Sequence, residues 1–420
     1  MRRTTRRADS SRLRRELLRA LWLLAATAAV SCRSTPVEPP RPDGTIHDQP
    51  TIRVRLSGAA TSEVQLATTG GYWIRADGRV VAESRRPLGP VRVRRSGGRW
   101  LLGAQPTEGG ELLIFPAPGH HVRLGKTAYR GYLRLLPGEG QRLVVINHVD
   151  LESYLAGVLP RELYATWHEE TYRALAVAAR TFAMYQMITF GRDHEYDLGD
   201  SQASQVYGGC SAETPKSRRA VDNTHGIVLA YGPAGTERIF LAQYSACCGG
   251  RVNGAYVIRS AHRIPPLEGG QVCTDCRDCP RHRWAPVRVA KADVYRALRS
   301  RYRAAARLGG VRTIQVATTT PSGRAVWVDV IGPSGRKLRV RAEDVRLSLL
   351  SARVPAARRL YSMNCRIVDR GGAIEFRDGR GFGHGVGLCQ WGAEGKARHG
   401  WTAEQILAFY YPEAKLYRVH

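Results

Sequence analysis

Residues 147–186 read NHVDLESYLAGVLPRELYATWHEETYRALAVAARTFAMYQ, two helical patterns around a short polar joint. Asp150 can cap the first, because its carboxylate accepts the free N–H groups of an opening turn. Tyr154, Leu155 and Val158 then share one apolar stripe, and Pro160 is expected to end the run. The second helix is expected to start near Glu169 and Glu170, acids that suit a helix N-terminus. Tyr172, Leu175, Ala176, Ala179, Phe182 and Ala183 recur along it at helical spacing, and the alanines let a partner backbone come close. Arg161-Glu162-Leu163 falls between the two patterns as a connector. A carboxyl partly buried there would have its pKa raised, as general acid catalysis near neutral pH requires. On these residues alone, an ordinary surface glutamate beside Arg161 is the simpler account.

Upstream, residues 51–145 alternate polar and apolar side chains, as in Thr51-Ile52-Arg53-Val54-Arg55-Leu56, with paired glycines at 70–71, 97–98 and 109–110. This predicts short antiparallel strands and contains no acid/base constellation. Downstream, strands are expected over Arg238–Ser245, Thr313–Thr318, Ala325–Ile331 and Lys337–Val340. Helices are expected over Val294–Arg307, Arg346–Leu350 and Glu404–Tyr410. The class is α+β, mainly antiparallel β with a few packed helices. Gly379, Gly381, Gly383, Gly385 and Gly387 alternate through a block that is neither a dinucleotide fingerprint nor a P-loop. Such spacing implies a backbone pressed against another strand or a ligand.

The net charge of +28 points to an anionic partner: nucleic acid, an anionic membrane face or a carboxylate-bearing wall polymer. Residues 1–31 hold eight Arg against Asp9 and Glu16, which is +6, so +22 is spread over the rest. A dispersed basic surface without a zinc-finger or RRM signature argues against nucleic-acid readout. The Arg-rich start precedes an apolar run from Ala20 to Val30, too short to span a bilayer as a mature helix. It ends in Ala29-Val30-Ser31-Cys32, a lipobox-like site, so residues 1–32 are expected to be a signal peptide and Cys32 the lipidated residue. A plain signal peptide or an uncleaved anchor would equally send the body to the cell envelope. Residues 33–50, rich in proline, form the expected flexible tether.

Cys273-x2-Cys276-x2-Cys279 resembles a zinc knuckle, whose closely spaced thiolates take adjacent tetrahedral positions. The Cys247-Cys248-Gly249-Gly250 turn offers a fourth ligand, Cys248 first, with Cys247 and His282 as alternatives. The metal would be a structural Zn; a pair of disulfides is the competing reading in an oxidising envelope.

Three blocks together resemble the sporulation stage II protein D (SpoIID) family, which includes the LytB-like amidase enhancers. They are LESYLAGVLPREL with Trp167 and TYRALAVAARTFA; SQASQVYGG at 201–209 with QYSACCGG; and GRGFGHGVGLCQWGAEGKARHGWTAEQILAFYYP at 379–412. The resemblance implies a SpoIID-like catalytic domain over residues 146–417. It implies lytic transglycosylation of peptidoglycan glycan strands between MurNAc and GlcNAc, with Glu162 as the single acid/base. It also implies partnership with a cell-wall amidase that strips stem peptides. The alternative is a binding module that stimulates that amidase without cleaving. His384 would line the site, bonding to substrate or orienting Glu162. Arg180 would hold the lactyl carboxylate of a muramic sugar or simply anchor its helix. Gln205, Tyr207, Tyr244 and Gln390 are the polar members of the matching blocks and candidates for a sugar groove. Ser245 stands where some members carry a metal-binding His, and Cys279 could replace it.

Overall fold

The computed structural model describes residues 50–56, 61–258 and 263–419. The expected signal peptide, Cys32 and nearly all of the tether lie outside them. Among the described residues, a seven-stranded sheet runs in the order Leu198–Gly199, Thr51–Arg55, Leu143–Asp150, Tyr132–Pro137, Leu112–Pro116, Tyr72–Ala76, Arg79–Ser84. A six-stranded sheet, built from strands between Glu63 and Tyr129, lies beside it in sequence. Alternation explains both: in Thr51–Arg55 only Ile52 and Val54 are buried, every second residue as a pleat requires. Nearly all pairings are antiparallel, in keeping with an α+β fold.

The strand Leu143–Asp150 crosses the expected boundary at residue 145. It pairs with Thr51–Arg55 from Thr51 opposite Asp150 to Arg55 opposite Ile146, so the β-rich part and the following helices share one sheet. They also share one apolar core, reaching from Ile52 through Leu155 and Leu175 to Tyr411.

The helices are α1 (Leu151–Glu162), α2 (Glu169–Ile188), α3 (Pro215–Asn223), α4 (Lys291–Arg301), α5 (Ala342–Ser351), α6 (Gln390–Arg398) and α7 (Ala403–Tyr410). Asp150 caps α1, its Oδ1 accepting from Ser153 N at 2.9 Å. Pro160 does not end α1, contrary to expectation. It sits in the last turn, and Leu163 N still closes on Leu159 O at 2.9 Å, which carries the helix to Glu162. α2 is the central helix; its buried alanines admit α1, α3, α6, α7 and the strand Ile227–Tyr231 at close range.

Two further expectations are corrected. Arg238–Ser245 is not one strand: Arg238–Ile239 pairs with Ile227–Tyr231, whereas Tyr244–Ser245 leaves that sheet to pair in parallel with Leu388–Cys389. Val294–Arg307 is α4 followed by a 3₁₀ segment, Arg303–Leu308, with Tyr302 in an extended conformation between them. The segment from 287 to 376 closes a second apolar core around Val294, Leu298, Val328, Val330, Leu349 and Phe376. No helix among the described residues is long and apolar enough to cross a membrane.

Candidate active site and thiol cluster

Glu162 is the last residue of α1 rather than part of a free connector. Its Oε1 accepts from Val206 N at 3.0 Å and its Oε2 from Gln390 Nε2 at 3.1 Å. These two donors favour the charged form, but burial outweighs them and holds the pKa above the usual carboxylate range. The negative end of the α1 dipole acts in the same direction as burial. The result is a fixed, partly buried carboxyl that gives up its proton reluctantly, a property a general acid needs.

Beneath it, Tyr154 donates to Gln205 Oε1 at 3.0 Å, and Gln205 Nε2 donates to Tyr244 Oη at 3.0 Å. Burial raises both phenols most; the Glu162 charge adds next at Tyr244 and after Tyr207 at Tyr154, so both lie within its field. Gln205 is fully buried and also donates to Ala179 O at 3.3 Å. It ties α2 to the two tyrosines and is not free to meet a sugar. Tyr207 likewise belongs to the core: its hydroxyl donates to Asn147 Oδ1 at 3.0 Å and its ring packs on Tyr129 and Tyr154.

Arg180 is no substrate ligand in this geometry. It has no exposed surface, and it donates to Glu152 Oε1 at 2.7 Å, Glu152 Oε2 at 2.6 Å and Ile227 O at 3.0 Å. It anchors α2 to α1 and to the neighbouring strand. His384 does not orient Glu162. Its Nδ1 accepts from Val386 N at 3.0 Å, and the Tyr244 backbone also bonds to the ring. Burial pushes its pKa down to about 4, so the imidazole is neutral near pH 7. Orientation of Glu162 falls to Gln390, the first residue of α6.

An aromatic group missed in the sequence flanks the acid. Tyr164 is 56% exposed, and Tyr164, Trp167 and Trp391 pack at ring separations of 5.1–5.8 Å. The sequence signal for it is the pair of aromatics, Tyr164 and Trp167, that follows the acid. Of the two acids in the final block, Glu394 accepts from His168 N at 2.8 Å, Thr171 Oγ1 at 2.9 Å and Arg398 Nε at 2.7 Å, which locks α6 to α2, and Glu404 accepts from Arg173 Nη2 at 3.4 Å.

Alternating glycine is explained by the strand beside it. Gly387 has φ +68°, and a Cβ there would lie 1.9 Å from Gln243 O; Gly381 has φ +75°, with 2.7 Å to Cys247 O. That contact places Leu388–Cys389 beside Tyr244–Ser245 and so delivers Gln390 and Tyr244 to Glu162.

The same strand pair gathers thiols. Cys248, Cys273, Cys276 and Cys389 are buried, with their Sγ atoms within 4.8 Å of one another. Cys389 thus takes the place that local spacing gave to Cys279. Cys248 N and Gly392 N donate to Cys389 Sγ at 3.2 and 3.3 Å, and the Tyr410 hydroxyl lies 3.1 Å from Cys273 Sγ. Polar hydrogens aimed at sulfur suit thiolates more than neutral thiols. No disulfide links any pair among the described residues. Four convergent sulfurs in a dry pocket fit a tetrahedral zinc site.

Residues 139–231 match the family model described as stage II sporulation protein, SpoIID. The chain is 29% identical over 291 residues to an uncharacterized protein of Brachyspira hyodysenteriae, covering 67% of this chain and 70% of that one. It is 29% identical over 280 residues to stage II sporulation protein D of Bacillus subtilis, covering 63% and 74%. With the amidase enhancer of Bacillus subtilis it shares 26% over 306 residues, 62% of this chain but only 40% of that protein. This chain is similar to the sporulation protein D and amidase enhancer proteins, and its residues 139–231 to the SpoIID family model.

Proposed function

We propose that the protein is an exported peptidoglycan lytic transglycosylase acting on peptide-stripped glycan strands. The observation that carries this reading is Glu162, a carboxyl held by two donors, with its pKa raised, beside exposed Tyr164. Hydrolytic glycosidases generally use a second carboxylate across the bond. Of the two acids of the final block, Glu394 is committed to three donors and Glu404 pairs with Arg173 of α2, which favours a single-acid route.

Glu162 would protonate the glycosidic oxygen between MurNAc and GlcNAc. As carboxylate, it would then take the proton of the MurNAc 6-hydroxyl, which attacks C1 and closes a 1,6-anhydro ring. Tyr164 would stack on a sugar face. Gln390 and Val206 N would keep the carboxyl aimed through both half-steps. The four-thiol cluster would bind one structural zinc and pin the strand pair that supplies Gln390 and Tyr244. Anchoring to the membrane through Cys32 belongs to the same reading.

The amidase enhancer relative favours a second reading, a wall-binding module that stimulates an amidase without cleaving. Purified protein incubated with denuded glycan strands separates the two: anhydro-ended products support the enzyme, whereas stimulation of an amidase without such products supports the module.

A further inference from the structure

Sulfur and nitrogen donors continue past the four-thiol cluster. Cys247, Cys276 and His282 form a second group with ligand atoms within 4.8 Å of one another, and Cys276 belongs to both groups. Zinc–sulfur bonds of about 2.3 Å and zinc–nitrogen bonds of about 2.0–2.1 Å give tetrahedral edges of about 3.8 Å between sulfurs and about 3.6 Å between sulfur and nitrogen. Cys248 Sγ and Cys276 Sγ are 3.7 Å apart, and Cys276 Sγ lies 3.6 Å from His282 Nδ1. Cys247 Sγ is 4.0 Å from the same nitrogen. Cys279 lies outside that 4.8 Å group but is buried on the same loop, its N–H donating to Cys276 O at 3.2 Å and its carbonyl accepting from His282 N at 2.8 Å, and is the thiol available there as a fourth donor.

We propose that the protein binds two zinc ions in one thiolate-bridged cluster: Cys248, Cys273, Cys276 and Cys389 hold the first, Cys247, Cys276, Cys279 and His282 hold the second, and Cys276 bridges them. The inference rests on the single-zinc reading and extends it. Two tetrahedral ions need eight ligand positions; six cysteines and one histidine, with one thiolate counted twice, fill all of them. Charge also fits. Six thiolates and two divalent cations leave −2, and Arg277, Arg283 and Arg380 line a cavity of about 610 Å³ that also touches Cys273, Cys279 and His282. Each thiol releases its proton to solvent on binding, so no oxidant or reductant enters. The second ion would tie the 276–282 loop to the Cys247-Cys248 turn.

The test is metal analysis of the full chain purified without added metal, followed by exchange with cadmium-113 and NMR. Two zinc ions per chain and two cadmium resonances that split one another are expected. His282→Ala and Cys279→Ser, made separately so that one survives if the other misfolds, should each lower the count to about one. One zinc per chain, unchanged in both variants, overturns the second site and leaves the single-zinc reading standing. Two ions without mutual splitting overturn the bridge. No zinc with thiols unreactive until reduced, or iron with acid-labile sulfide, overturns both readings.

Discussion

Arg180→Met separates anchoring from substrate binding. Arg180 has no exposed surface and makes two short charge-assisted bonds to Glu152, itself 8% exposed. Removing one partner of such a pair strands the other charge, a loss of about 3–5 kcal/mol. For a domain of this size each kcal/mol lowers Tm by roughly 2 °C, so a fall on the order of 6–10 °C is expected. Arg180→Met combined with Glu152→Leu should recover most of it, because an apolar pair of similar volume is close to neutral. Calorimetry on wild type and the two variants measures this, with glycan binding followed in parallel. A single variant that keeps its Tm while glycan affinity collapses would refute the anchoring role.

Gly387→Ala should yield little folded protein, since its Cβ would meet Gln243 O at 1.9 Å; Gly119→Ala, with φ +77° and no neighbour within 4 Å, should cost only about 1–2 kcal/mol in urea unfolding. Tyr164→Ala should leave Tm unchanged, because the ring is mostly exposed, but raise KM for glycan strands severalfold with kcat nearly intact, a pattern steady-state kinetics reads directly. His384 binds fewer protons folded than unfolded between about pH 4 and its ordinary value of 6.5, so wild-type stability should fall as pH drops through that window. His384→Gln should flatten that slope in Tm scans from pH 7 to pH 4.5.

Local signals in the sequence were read well where the physics is local. Asp150 caps α1 as its side chain allows, and Ala325–Ile331 forms the expected strand in place. Pro160 was misread because a proline in the last helical turn removes a bond without preventing the final Leu163–Leu159 closure. The thiol set needed a contact across more than a hundred residues: Cys389 reaches Cys248 through the parallel pairing of Tyr244–Ser245 with Leu388–Cys389, for which three-residue spacing gives no hint. The matching blocks offer Arg180 either a substrate carboxylate or a helix anchor and Tyr207 a place in a sugar groove; burial, decided by tertiary packing, selects the anchor and makes Tyr207 a core residue. The strands of the second core do alternate, as at Val287 and Val289 or Val328 and Val330; alternation shows which face is buried but not which of two cores it joins.

Glu162→Gln keeps the size of the side chain, and Gln390 can turn its amide to accept from the new NH₂, so the fold should hold. The raised pKa means the charged form is disfavoured in the folded state, so the variant's Tm should equal or exceed that of wild type at neutral pH. General acid–base help is typically worth ~10²–10⁴ in rate, and both half-steps would lose it. The decisive measurement is mass analysis of products from denuded glycan strands treated with each protein. Wild type should release 1,6-anhydroMurNAc ends and Glu162→Gln almost none, with equal glycan binding. Near-normal release by Glu162→Gln would contradict its role as the acid/base, and no release by wild type would contradict the enzyme itself.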